Sequence, residues 1–274
     1  MELKNKNGLT EKEFLKLYNP GDYPKPSVTV DNVILGLNKD SNSKIKGLKV
    51  LLIKRKDHPF INKWALPGGF VNIDEDIDDA AKRELLEETH VENIYLEQLK
   101  TYGNPERDPR MRVISVAYLA LINCNEINPI AGDDADEAEW FDINLHKRDD
   151  GREDLIILKD EELLDSFVFE NEKCVSTYSE MLAFDHMIIL YDAMNRIRNK
   201  IEYTDIALNL LPEKFTIPEL QNIYETILNK KIYKTNFRKK MNDFIEKTNE
   251  SRKNGAHRPS QLYKRKEKNY YVRK

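Results

Sequence analysis

The stretch WALPGGFVNIDEDIDDAAKRELLEETHV, Trp64 to Val91, decides how this chain is read. The Pro-Gly-Gly at 67–69 punctuates the chain, and a helix is expected from about Ile77 to Glu88. On that helix Glu84, Glu87 and Glu88 stand at i, i+3 and i+4, so their carboxylates converge on one patch. At about 100° per residue, Glu84 and Glu88 flank the direction of Ile77, with Ala81 close by. Ile77, Ala81 and Leu85 are the expected core contacts, which tilts the carboxylates toward the protein. Like charges that close repel, and lost hydration adds to the cost. A hard divalent cation relieves both, and oxygen ligands of this kind suit Mg²⁺ or Mn²⁺. A solvated acidic face is the commoner meaning of clustered glutamates, so the helix alone does not decide.

The residues around it do. From Gly69, five residues precede Glu75 and seven more precede Arg83-Glu84, after which come Leu85, Leu86, Glu87, Glu88, Thr89, His90 and Val91. This resembles the Nudix box, GX5EX7REUXEEXGU, with matches at Gly69, Glu75, Arg83, Glu84, Leu85, Glu87, Glu88 and Val91. His90 stands where the box has its second glycine, the residue that ordinarily ends the helix in a left-handed turn. The resemblance implies an α+β fold, a Nudix α/β/α sandwich. It also implies that Glu84, Glu87 and Glu88 bind the metal with the main-chain carbonyl of Gly69, while Arg83 and Glu75 hold those carboxylates in position. The implied reaction is hydrolysis of a nucleoside diphosphate linked to another moiety, with metal neutralising the diphosphate and activating a water.

Working outward, SVTVDNVILGL (Ser27–Leu37) and GLKVLLIKR read as a strand hairpin, VISVAYLALI (Val113–Ile122) as a third strand and EWFDI (Glu139–Ile143) as a short fourth. Helices are expected near Lys159–Leu164 and over Glu180–Asn199. Arg107, Arg110 and Arg112 precede the third strand, where arginines can clamp phosphate or ribose oxygens, and Arg55 is a similar candidate at the end of LLIKR. The RDPR stretch, PFINKWALPGGFV and AGDDADEAEWF resemble the branch of the Nudix family that acts on ADP-ribose. The acidic loop Gly132–Glu137 reads first as a polar connection and second as a source of a base or metal ligand. Asp185 and His186 open a helix and are assigned first to capping and packing, with a place at the rim of the pocket as the alternative, and Trp64 and Trp140 first to packing.

The net charge of −4 hides an asymmetry: from Pro212 to Lys274 there are 17 Lys and Arg against 7 Asp and Glu. Such a split points to a separate basic module with an anionic partner. FTIPELQNIYETIL reads as a helix with Thr216 as cap, Pro218 in the first turn and Leu220, Ile223 and Ile227 on one face. TNFRKKMNDFIEK reads as a second helix with Phe237, Met241 and Phe244 inward. The basic remainder, turning near Gly255, reads as a β-hairpin, completing a winged helix-turn-helix. Arg238, Lys239 and Lys240 are placed to enter a major groove, with Arg258 and its neighbours in the hairpin turn along the backbone.

Two domains are therefore expected, residues 1–200 and 201–274, each with its own core. The pair resembles the Nudix-related transcriptional regulators of bacteria. The leading expectation is a Nudix hydrolase that cleaves ADP-ribose or a related nucleotide sugar to AMP and a sugar phosphate. The alternative is a DNA-binding regulator, a homodimer on double-stranded DNA, whose Nudix domain senses ADP-ribose. No apolar run nears the ~20 residues of a membrane span, the first residues lack a signal-like apolar stretch, and Cys124 and Cys174 lack metal-site spacing. A cytoplasmic protein with reduced thiols and no membrane partner is expected.

Overall fold

The computed structural model describes residues 2–39, 45–90, 94–122, 135–253 and 259–266. Its elements in chain order are α1 (Glu11–Leu17), β1 (Ser27–Lys39), β2 (Ile45–Arg55), β3 (Trp64–Ala65), β4 (Gly68–Phe70), α2 (Ile77–Thr89), β5 (Tyr95–Tyr102), β6 (Val113–Leu121), β7 (Ala135–Lys147), β8 (Glu153–Lys159), β9 (Glu162–Glu170), β10 (Lys173–Thr177), α3 (His186–Lys200), α4 (Ile217–Leu228), α5 (Lys234–Met241), β11 (Ile245–Arg252) and β12 (Ser260–Arg265).

One mixed sheet runs β10-β9-β8-β7-β2-β1-β6-β5, with β3 on β2 and β4 on β1; β1 and β6 are parallel and the hairpin β1–β2 is antiparallel. Strand side chains alternate between faces, and that alternation sorts the core. Val30, Ile34, Leu51, Val116 and Ala120 meet Ala80, Ala81 and Leu85 of α2 on one face. Val33, Leu35, Val50, Leu52, Leu119 and Phe141 meet Ile189, Leu190, Ala193 and Ile197 of α3 on the other. The result is an α/β/α sandwich. Asn32 reinforces the first layer, its buried amide donating to the Ala81 carbonyl at 3.0 Å.

Four expectations are corrected. The helix expected at Lys159–Leu164 is a hairpin: Asp160 and Glu161 take positive φ (51° and 70°) between β8 and β9, as a two-residue primed turn requires. The helix expected from Glu180 begins at His186, because Trp64 and Leu182 first form a parallel bridge. EWFDI is the middle of a strand of 13 residues, β7. The second basic helix stops at Met241, so Phe244 packs from beyond its end and Ile245 already begins β11.

The C-terminal elements form a winged helix: the short turn Ile206–Leu210, then α4, α5 and the β11–β12 hairpin, with Phe215 bridging Tyr263. A full capping box at Thr216 and Glu219 starts α4. Among the described residues the two parts do not have separate cores: Leu208, Leu211, Phe215, Leu220, Ile223 and Ile227 join the α3 face of the sheet in one continuous apolar cluster. No helix among the described residues is long and apolar enough to cross a membrane.

Candidate ligand cleft and nucleic-acid interface

The acidic helix begins at Asp76, whose side chain accepts from the Asp78 amide at 3.0 Å. Ile77, expected inside, is 36% exposed, and Ala80, Ala81 and Leu85 carry the packing instead. Arg83 is the hub of the patch. Its Nε and Nη2 donate to the two oxygens of Glu75 at 2.8 and 3.1 Å, and Nη1 donates to Glu84 at 2.7 Å and lies 3.6 Å from Glu87. Hydrogen bonding to Arg83 lowers the Glu75 carboxyl, whereas burial raises that of Glu84 against the pull of Arg83. Glu84 also presses on β4: a Cβ at Gly69 would lie 2.3 Å from its Oε1, so only glycine admits this approach. The Glu88 side chain and Val91 lie outside the described residues.

His90 ends α2 in the left-handed conformation, φ 55° and ψ 24°, its amide donating to the Leu86 carbonyl. The histidine therefore makes the same stop a glycine would, at a conformational cost.

Among the described residues no group of three or more His, Cys, Asp or Glu is placed to hold a metal. What is described fits one nonetheless. A half-buried carboxylate at Glu84 with an elevated proton affinity, a second at Glu87 and the close backbone of Gly69 are hard oxygen donors whose repulsion a divalent cation would offset.

Beside this patch opens a cleft of about 230 Å³, bounded by β4 and lined by Gly69, Arg55, Arg107 and Arg110 together. Arg112 is not in its lining; its Nη1 donates to the Val113 carbonyl at 3.3 Å. Arg55 donates to the Pro59 carbonyl at 2.7 Å and lies 5.1 Å from the Phe184 ring centre. Arg110 is held bidentately by Asp108 (3.0 and 2.7 Å) with its guanidinium 5.4 Å from Phe70 and 6.0 Å from Phe184. Those rings offer apolar faces to a planar group.

Arg107 is the most enclosed of the three. Its Nε and Nη2 donate to both oxygens of Asp185 at 3.1 and 2.8 Å, and Nη2 reaches Asp31 at 3.2 Å. Burial pulls its pKa down, but the pairing with Asp185 and Asp31 outweighs this and raises it. Asp31 also accepts from the Ser115 hydroxyl and stands 3.6 Å from Nε2 of His186. The His186 Nδ1 accepts from the Leu66 amide at 2.9 Å, and burial pushes its pKa down, so the ring is neutral with its proton toward Asp31.

Two sequence-based assignments change here. Asp185 sits at the N-cap position of α3 but makes no side-chain cap bond, being taken by Arg107. His186 lines the cleft, the alternative position that the sequence left open for it. Asp31 and Ser115 were not singled out in the sequence, although a carboxylate and a hydroxyl inside the apolar runs SVTVDNVILGL and VISVAYLALI are a readable signal of a buried polar network.

In the winged helix, Phe237 and Met241 anchor α5, with Phe237 edge-on to Tyr224 at 5.0 Å, and Arg238, Lys239 and Lys240 are exposed. Lys240 lies 5.4 Å from the Tyr224 ring centre. Other cations of this module are internally compensated: Lys214 with Glu250, Lys230 with Glu202, Lys231 with Glu225 and Arg252 with Glu219. Arg258 and the turn near Gly255 lie outside the described residues, as do Cys124 and residues 132–134 of the acidic loop.

Comparison with known proteins places this arrangement. Residues 33–159 match the NUDIX domain and residues 207–264 the NrtR DNA-binding winged helix domain. The chain is 35% identical over 262 residues to the ADPR responsive transcriptional repressor NtrR of Acinetobacter baylyi, covering 94% of this chain and 89% of that protein. The chain belongs to the NrtR family. The Shewanella oneidensis NrtR, crystallised with a 27mer DNA, superposes with a TM-score of 0.64 at 30% identity over 87% of this chain and 93% of that one. Across 136 residues, half of this chain and 72% of the relative, it is 42% identical to an ADP-ribose pyrophosphatase of Methanocaldococcus jannaschii. Nudix proteins generally use divalent metal ions, which agrees with the hard-oxygen character of the α2 patch.

Proposed function

We propose that this protein is a DNA-binding transcriptional regulator whose Nudix domain senses ADP-ribose or a closely related nucleotide sugar. The reading that ranks second on sequence thus ranks first. The observation that carries it is the NrtR-type winged helix, which shares one apolar core with the Nudix sandwich and turns Arg238, Lys239 and Lys240 outward on a short recognition helix. In this proposal residues 1–200 are the sensor and 201–274 the output, and a homodimer matches two half-sites of double-stranded DNA. Arg55, Arg107 and Arg110 face the ligand's diphosphate and ribose oxygens in the cleft. Glu84, Glu87, Glu88 and the Gly69 carbonyl hold Mg²⁺ or Mn²⁺, and Arg83 and Glu75 position them.

The test is DNA selected from a random pool by the protein, followed by titration of fluorescent DNA with and without ADP-ribose. A DNA affinity that ADP-ribose changes supports the regulator, and one that it leaves untouched refutes it. A second reading, retained hydrolysis, is favoured by the charged residues of the box, all present, with Arg83 holding Glu75 and Glu84. AMP release with Mg²⁺ or Mn²⁺ that disappears in Glu84→Gln supports it; no AMP from the wild type refutes it.

A further inference from the structure

Arg107 of the cleft pairs with Asp185, the residue that opens α3, and the far end of α3 meets the winged helix. Its side chain is only 4% exposed, and both oxygens of Asp185 are occupied by it. Asp185 is in turn the N-cap residue of α3, and its side chain, so occupied, caps nothing. At this start the His186 amide donates to the Ala183 carbonyl and the Ile188 amide to the Asp185 carbonyl, and no side chain caps the first turn, a place where aspartate is among the best residues. One carboxylate therefore has two possible uses, the ion pair it makes and the cap it does not.

The far end of α3 is wired to the output module. The Lys200 carbonyl accepts from the Thr204 hydroxyl at 2.7 Å, and the Thr204 carbonyl accepts from the Tyr224 hydroxyl of α4 at 3.3 Å. Tyr224 packs edge-on to Phe237 of α5. Ile189, Ala193 and Ile197 of α3 lie in the same apolar cluster as Ile223 and Ile227 of α4. Along its length α3 is clamped to the sheet by Asp192, which accepts from Tyr102 and Lys100, and by Arg198, which donates to the Leu145 carbonyl. α3 thus has contacts at both ends, with the cleft through Asp185 and with the winged helix through Thr204, Tyr224 and the shared apolar cluster.

Resting on the regulator reading, we propose that Asp185 is the positioning residue through which ligand occupancy reaches the winged helix. An anionic diphosphate ligand draws on the Arg107 guanidinium, releases Asp185, and lets its carboxylate turn to cap the start of α3. A cap of ordinary strength biases a two-state helix start by about tenfold, enough to couple two sites. Asp31 keeps Arg107 in place during the exchange, holding it from the sheet side while Ser115 donates to Asp31 and His186 stands beside it.

The experiment uses Asp185→Ser, which caps a helix well but cannot hold a guanidinium bidentately. DNA affinity of wild type and variant is measured without ligand and with saturating ADP-ribose. ADP-ribose affinity of each is measured by calorimetry, and cooperative melting confirms that each is folded. The expected result is that the ligand-free variant has the DNA affinity of ligand-saturated wild type, that ADP-ribose changes it no further, and that ADP-ribose still binds. Asp185→Glu, which can restore the ion pair, is expected to recover part of the response. A folded Asp185→Ser that responds to ADP-ribose as wild type does overturns the relay alone. A wild type whose DNA affinity ignores ADP-ribose overturns the regulator reading and the relay with it. Should Asp185→Ser lose cooperative melting, Asp185→Asn serves in the same assay with the same two outcomes.

Discussion

Two adjacent glycines make a sharp test of how the cleft wall is built. At Gly68 an added Cβ would lie 2.1 Å from the Val30 carbonyl oxygen and 3.0 Å from the Asp31 Cα, both main-chain atoms of the strand that β4 pairs with. Ordinary contact begins near 3.4 Å, so β4 would have to part from β1 by about 1 Å, an overpacking that costs on the order of 3 kcal/mol. At Gly69 the obstacle is softer: the nearest atoms are the carboxylate of Glu84, 2.3 Å away. That side chain can rotate off, giving up its bond from Arg83, a partly exposed charged hydrogen bond worth ~1 kcal/mol. Gly68→Ala should therefore lower the melting temperature by roughly 6–12 °C and Gly69→Ala by only about 2–4 °C. The ranking should invert for metal response. A divalent cation at about 100 times its dissociation constant stabilises its bound form by ~2.7 kcal/mol, and Gly69→Ala, with Glu84 displaced, should lose that gain. Calorimetric melts with and without MgCl₂ and MnCl₂ measure both quantities. A Gly69→Ala variant that melts below Gly68→Ala, or that keeps the full metal-induced rise, would refute the reasoning.

Three further outcomes follow from single residues. His90→Gly should stabilise the fold by about 1 kcal/mol, because the left-handed stop of α2 at φ 55° costs a histidine what it does not cost a glycine; denaturant titration checks it. Thr216→Ala should remove the capping box of α4 and destabilise by ~1 kcal/mol, again read by denaturant midpoint. Arg238→Ala and Lys239→Ala should each weaken DNA binding and shallow the slope of log affinity against log salt by about one, whereas Lys214→Ala, whose cation is already paired with Glu250, should change that slope little.

What could be read from the chain follows a physical pattern. The sheet, α2 and α4 carry their own signals: the extended apolar runs of β1, β2 and β6, the fixed box spacing, the Thr216 cap. The meander β8–β10 was hidden because its turns use Asp160-Glu161 and Asn171-Glu172, residues that take positive φ here without the glycine that marks such turns. α5 was read too long because its inward period, Phe237 and Met241, carries on to Phe244, which packs from outside the helix. The Arg107–Asp185 pair joins residues 78 apart. Arg107 could be suspected from its neighbours, but its partner and the burial that makes the pair matter exist only once α3 lies across the sheet. The same holds for the fused core, since Leu208 and Ile227 read alike whether they close a separate domain or cover α3.

That fused core bears directly on the proposed sensing and on how it would coexist with the second reading, retained hydrolysis. Where two modules are joined by a flexible linker, ligand binding in one can leave the other undisturbed; where α3, α4 and the sheet share one apolar cluster, a change in α3 must be accommodated by α4. On the proposed reading the coupling is reciprocal: whatever factor ADP-ribose applied to DNA affinity, DNA would apply to ADP-ribose affinity. An exchange worth about 1.4 kcal/mol sets that factor near ten. If the box also turns its ligand over, hydrolysis withdraws the signal from free and DNA-bound protein at rates that need not share this factor, because reciprocity governs binding and not turnover. Comparing the two, ligand affinity and AMP release with and without DNA, therefore separates what the cleft senses from what it consumes.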